Sequence, residues 1–102
     1  MPYYCLLTTL TAEGRKSLKK APGRLWEVNK EVEQMGAKIL AQYKTLGPYD
    51  FVNILEAPNM SVISRVVIEI GSRGTLEPLL MGAITVEDFV KEIEMANAVA
   101  KQ

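Results

Sequence analysis

"AKILAQYKTLGPYDFVNILEA", residues 37–57, sets two strand-like runs on either side of a single Gly-Pro break. Residues 37–46 and 50–57 are rich in Ile, Leu, Val, Tyr and Phe, the residue types that suit a pleated, half-buried surface. The few residues between them leave room only for a reversal, so the two runs form an antiparallel hairpin. Pro48 fits the second position of a type I turn, whereas a type II turn would want glycine where Tyr49 stands. Gly47, directly ahead of a proline, is pushed out of the helical region. The turn thus accounts for Gly47 and Pro48 but not for Tyr49 and Asp50.

On the N-terminal side, "YYCLLTTL" (3–10) reads as a first strand. Thr11 is a helix N-cap, with Glu13 in the favourable first turn of a helix over 12–20. "APG" interrupts it, and Pro22 suits the start of a second helical stretch, 23–35, whose Leu25, Val28, Val32 and Met35 share one face. Gly36 is its stop. On the C-terminal side, Asn59 or Ser61 caps a helix in which Ile63, Val66, Val67 and Ile70 recur at helical spacing. "GSRG" (71–74) ends it, and "TLEPLLM" (75–81) is a fourth strand. Thr85, with Asp88 three residues on, opens a last helix whose Phe89, Val90, Ile93, Ala96 and Asn97 face one way.

The order is β-α-β-β-α-β plus a terminal helix, an α+β chain of ferredoxin-like arrangement with a four-stranded antiparallel or mixed sheet. Strands one and three are expected at its centre as a parallel pair joined by helical crossovers, with strands two and four at the edges. Pro78 is tolerable on an edge strand, and Lys38 and Lys44 guard the other edge against stray pairing. With both crossover helices on one side, the opposite sheet face is bare, and in a monomer it should be polar. It is not. Strand one has Tyr3, Cys5 and Leu7 on one side and Tyr4, Leu6 and Leu10 on the other; strand three sets Phe51 and Leu55 against Val52 and Ile54; strand four sets Leu79 and Met81 against Leu76 and Leu80. Such a face exceeds the apolar patch of a few hundred Å² that monomers usually show. The terminal helix covers about 10 Å, roughly two strand spacings, and cannot seal the sheet alone. The expectation is a symmetric homodimer or larger homo-oligomer through the open face.

The 102 residues form a single domain, 1–102, long enough to bury a core without disulfides. Twelve basic and twelve acidic side chains cancel, which gives no global field for nucleic acid or an anionic membrane. No apolar run approaches the roughly 18 residues that span a bilayer, and the N-terminus lacks the basic region of a signal peptide. With one cysteine, Cys5, read as a buried inert thiol, the expected compartment is the reducing cytoplasm. Histidine is absent, which removes imidazole general-base chemistry and the usual zinc and haem ligation; no metal or cofactor is expected. Walker, dinucleotide-binding, CxxC and HExxH motifs are also missing.

The chain resembles the GYD-domain proteins, a family named for a Gly-x-Tyr-Asp motif that here is Gly47-Pro48-Tyr49-Asp50. "LTAEGRKSLKKAPGR" (10–24) is similar to the family's opening, with Thr11, Gly14, Pro22 and Arg24 at its marked positions, and "YKTLGPYDFVNILEAPN" (43–59) to its central segment. "GTLEPLLM" (74–81) stands where its last strand begins. Asn59 replaces an expected aspartate, and Pro78 falls in a stretch usually richer in threonine. The resemblance implies a ferredoxin-like unit of the dimeric α/β-barrel group. Fold relatives there include small monooxygenases, isomerases and ligand-sensing regulators, so it implies no single activity.

The leading functional expectation is a non-catalytic homo-oligomeric module that holds a small, mostly apolar ligand between two sheets or near the hairpin. Tyr43, Tyr49, Asp50 and Arg24 are the candidate ligand-binding residues, and no residue is assigned a catalytic role. Tyr43, read as sharing a strand face with Ile39 and Ala41, would project between the sheets. The alternative is a cofactor-independent enzyme of the small monooxygenase or isomerase type, using Tyr43, Tyr49 or Asp50 in an inter-sheet cavity. A purely local role is also available: Asp50 accepting backbone N–H groups at the turn or pairing with Arg24, and Tyr49 packing its ring on a neighbour.

Overall fold

The computed structural model describes residues 1–101. Its elements are β1 (Tyr3–Leu10), α1 (Ala12–Lys20), α2 (Arg24–Gln34), β2 (Lys38–Lys44), β3 (Phe51–Glu56), α3 (Met60–Ser72), β4 (Leu76–Ala83) and α4 (Val86–Ala100). The caps are those the side chains dictate. Thr11 accepts from the Gly14 N–H, Asn59 from Val62 and Thr85 from Asp88, each supplying an acceptor to a first-turn donor that the helix cannot satisfy itself.

The four strands lie in the order β2-β3-β1-β4, with β2 and β4 at the edges as expected. β1 and β3 are not parallel: every neighbouring pair in the sheet is antiparallel. A crossover helix returns the chain in its original direction, so β1 and β2 run alike, but they are not neighbours. The hairpin then reverses β3, which inserts between them.

The core lies between the sheet and its helices. Tyr4, Leu6, Phe51 and Leu55 point from the sheet toward Val32 of α2 and Ile63, Val66 and Ile70 of α3. Leu76 and Leu80 of β4 pack against this cluster. Gly14 is essential to how α1 closes on the sheet. A Cβ there would lie 2.0 Å from the Thr75 carbonyl oxygen, so only glycine permits the approach. The Thr11 N–H donates to that same carbonyl at 3.1 Å, and its hydroxyl donates to the Gly74 carbonyl at 2.6 Å. The Thr11 and Gly14 positions thus rivet the first helix to the start of the last strand.

β2 departs from regular alternation. Its register with β3 shifts between Ile39 and Ala41, so Ile39 lies opposite inward-facing Leu55 while Ala41 and Tyr43 lie opposite Ile54 and Val52 on the open face. Tyr43 therefore does not share a face with Ile39; the bulge's extra residue rotates the rest of the strand. α4 covers nothing. All of its 15 residues are exposed, and the molecule measures 62 × 29 × 18 Å. Its radius of gyration, 16.6 Å, exceeds the roughly 13 Å of a compact chain this long, because the last helix projects from the body.

Candidate functional site

The Gly47-Pro48-Tyr49-Asp50 hairpin is closed by residues on either side of the proline rather than by a bond across a type I turn. The Thr45 N–H donates to the Asp50 carbonyl at 2.8 Å, and the Thr45 hydroxyl donates to the Tyr49 carbonyl at 2.7 Å. Gly47 has φ +131°, a conformation that side chains resist, and the Asp50 N–H that a closed turn over 47–50 would direct to the Gly47 carbonyl goes elsewhere. Asp50 is bound to β1. Its N–H donates to the Thr8 carbonyl at 2.9 Å, and its carboxylate accepts the Leu10 N–H at 2.7 Å. The β1–β3 register ends at Thr8 and Phe51, so the carboxylate continues the ladder one step beyond the last backbone partner.

Lys44 Nζ lies 3.5 Å from the other Asp50 oxygen. The Leu10 N–H first, and then Lys44 and Arg15, hold the Asp50 carboxyl below its usual range. A carboxylate stabilised in its charged form and engaged at both oxygens is a weak proton acceptor. Arg24 is not its partner. That guanidinium donates instead to Glu27, one helical turn on, at 2.7 Å.

The open sheet face consists of two apolar rows set by strand register. Ala41, Ile54, Cys5 and Met81 form one, and Tyr43, Val52, Leu7 and Leu79 the other. Tyr43 is 64% exposed, Leu79 42% and Met81 45%. Cys5 is half-exposed in the first row rather than buried. Glu56 and Glu77 flank the rows: Glu56 lies opposite Tyr3 and Lys38, Glu77 opposite Thr9. The face offers continuous apolar area to another surface.

Two of the clefts on the helix side border Leu25 and Val28 of α2. The larger of this pair, about 200 Å³, lies among α1, α2 and the start of β4; its apolar walls include Leu10, Leu18, Leu25 and Leu76, with Arg24 and Arg73 as its charged members. Arg73 bridges α2 to α3 through Glu31 and, at 2.9 Å, Glu69. The smaller, about 30 Å³, holds no more than a water-sized guest beside an amide network. There the Asn29 and Gln42 side chains exchange hydrogen bonds at 2.9 and 3.1 Å. Gln42 also donates to Asn53 at 2.8 Å, and Asn53 donates to the Leu6 carbonyl at 2.9 Å.

Of the four candidate residues, Tyr43 stands on the open face, Tyr49 and Asp50 at the hairpin, and Arg24 on the cleft. The fold does not gather them into one site. Sequence reasoning missed the amide network, although Gln42 and Asn53, polar residues inside otherwise apolar strands, carried its signal. Among the described residues no group of three or more His, Cys, Asp or Glu side chains is placed to hold a metal ion.

An antiparallel four-stranded sheet, helices on one face and the other face left apolar and open define a ferredoxin-like α+β domain. The chain belongs to the GYD-domain family, whose model matches residues 4–93. It is 40% identical over 95 residues to the glutamine synthetase and cystathionine beta-lyase binding protein of Thermus thermophilus, a match spanning 92% of this chain and 100% of that one. The crystal structure of FFRP-DM1 superimposes with a TM-score of 0.55 at 20% identity, over 82% of this chain and 100% of that one. A dimeric ferredoxin-like protein from an uncultured marine organism matches 84% of this chain and 95% of its own, with 10% identity and a TM-score of 0.43.

Proposed function

We propose that this chain is a non-catalytic, homo-oligomeric binding module of the cytoplasm, which joins through its open sheet face and whose partners are metabolic enzymes. The observation that carries the reading is that face: two unbroken apolar rows with Tyr43, Leu79 and Met81 exposed in the lone chain. Burying it against a second copy removes the patch without any change in the fold. The half-exposed free thiol of Cys5 suits a reducing compartment. The Thermus relative, named for binding glutamine synthetase and cystathionine beta-lyase, supports proteins of that kind as partners. Size exclusion with light scattering at micromolar protein tests the assembly, and co-elution with those two enzymes from the same source tests the partners. A dimer or larger species that co-elutes with either enzyme is expected; a monomer that binds neither overturns the reading.

A second reading keeps the small ligand. The cleft of about 200 Å³ combines apolar walls with Arg24, which suits a small, largely apolar molecule bearing one anionic group. On this reading Arg24 holds the polar end, while Tyr43 on the open face and Tyr49 and Asp50 at the hairpin lie outside that cleft and serve a separate inter-sheet site. Native mass spectrometry of protein purified from its own source should then find a retained small molecule. Uniformly unliganded protein would remove this reading and leave the first intact.

A further inference from the structure

We propose that α4 is an exchange arm, lying along the β2 edge of a second copy of this chain while the partner's arm returns the contact. The proposal rests on the homo-oligomeric reading and adds the segment that completes the interface. α4 is amphipathic: Phe89, Val90 and Ile93 form one apolar stripe, with Val86 at its start. Their exposures are 52%, 45%, 48% and 76%, so the whole stripe lies in water in the lone chain. A 15-residue helix is marginal on its own and takes most of its stability from an apolar partner surface. In the lone chain it rests on none: every α4 residue is exposed, while the helix side of the sheet carries α2 and α3.

The surface that fits is elsewhere on the same sequence. The β2 edge exposes Leu40 (42%) and Tyr43 (64%), with exposed Lys38 and Lys44 at its two ends. The charged sides of α4 carry Glu87, Asp88, Glu92 and Glu94 against Lys91 within the helix, an acidic balance opposite to that of the edge. Lengths agree as well: at about 1.5 Å per helical residue and 3.3 Å per strand residue, α4 and β2 each extend roughly 22–23 Å. β2 is also an edge strand with an unpaired side, which an arm would cover. An apolar stripe rimmed with acid and an apolar edge that carries Lys38 and, shared with Asp50, Lys44 satisfy each other reciprocally in two chains.

Two single-cysteine chains test this, both with Cys5→Ser to silence the native thiol. One carries Val90→Cys and the other Tyr43→Cys; they are mixed and oxidised with glutathione disulfide. A disulfide-linked heterodimer that forms on mixing, and not in either chain alone, is the expected result. If the mixture stays unlinked while a chain bearing both cysteines closes on itself at high dilution, the arm lies on its own body and the proposal is wrong. The full-length Phe89→Glu/Ile93→Glu variant gives an independent measure. Self-association should weaken at least tenfold with the circular dichroism of the body retained. Unchanged self-association would overturn the arm while leaving the sheet-face dimer standing, whereas a monomeric wild-type protein would overturn both.

Discussion

Replacing Leu79 and Met81 together by lysine separates the value of the open face in an assembly from its value in the fold. Both side chains lie on β4 two residues apart, pointing away from the core, and are 42% and 45% exposed. In the lone chain the two lysines reach water and the core is untouched. In a two-fold dimer the remaining exposure of each Leu or Met would be buried. Full burial of such a side chain is worth about 1.5–3 kcal/mol, so the fraction still open contributes roughly 0.6–1.3 kcal/mol each. Summed over the two copies, the substitution removes about 2.5–5 kcal/mol of association free energy, or roughly 10² to 4 × 10³ in Kd at about 1.4 kcal/mol per tenfold. The added ammonium groups raise that further, because each must shed water to enter the interface. Sedimentation velocity across a concentration series reads the Kd, and thermal unfolding followed by circular dichroism reads the fold. The expected outcome is a folded chain shifted to monomer. A variant that self-associates like the wild type would show that the open face is not the contact.

Gly14→Ala should destabilise the fold by about 1–3 kcal/mol or more, because its Cβ would meet the Thr75 carbonyl; urea unfolding measures this. Gly23→Ala, with nothing within 4 Å, is the control and should change stability little. Asp50 titrates below its ordinary value when folded, so its contribution is present above pH about 4 and is lost as pH falls through the lower folded value. Asp50→Asn should therefore flatten the acid limb of stability against pH; an acid limb identical to the wild type's would remove Asp50 from the β1 clamp. Asn53→Ala should cost about 1–3 kcal/mol by thermal unfolding, since it removes the side-chain donor to the Leu6 carbonyl and the acceptor of one Gln42 amide N–H.

The elements themselves were legible because each follows from neighbours a few residues away. Thr11, Asn59 and Thr85 cap their helices through groups three residues on, and Gly36 ends α2 with a positive φ that glycine accepts. The edge positions of β2 and β4 were legible too, through Lys38, Lys44 and Pro78. The bulge in β2 was not. A single extra residue leaves no mark in an apolar run, yet it moved Tyr43 to the side opposite Ile39. Nor was the partner of Asp50, because Leu10 lies 40 residues away and only the strand register brings its N–H to the carboxylate.

Local spacing was therefore enough to define which segments are helices and strands, and that both sheet faces are apolar. Caps, turns and periodicity act over a few residues, and the amino-acid order states them outright. Packing decided the strand directions, the Thr11–Gly14 contact with Thr75, the separation of Arg24 from Asp50, and the exposure of α4. Each of those depends on how distant segments meet in space, where exclusion of volume and satisfaction of backbone donors choose among arrangements that the linear pattern leaves equal.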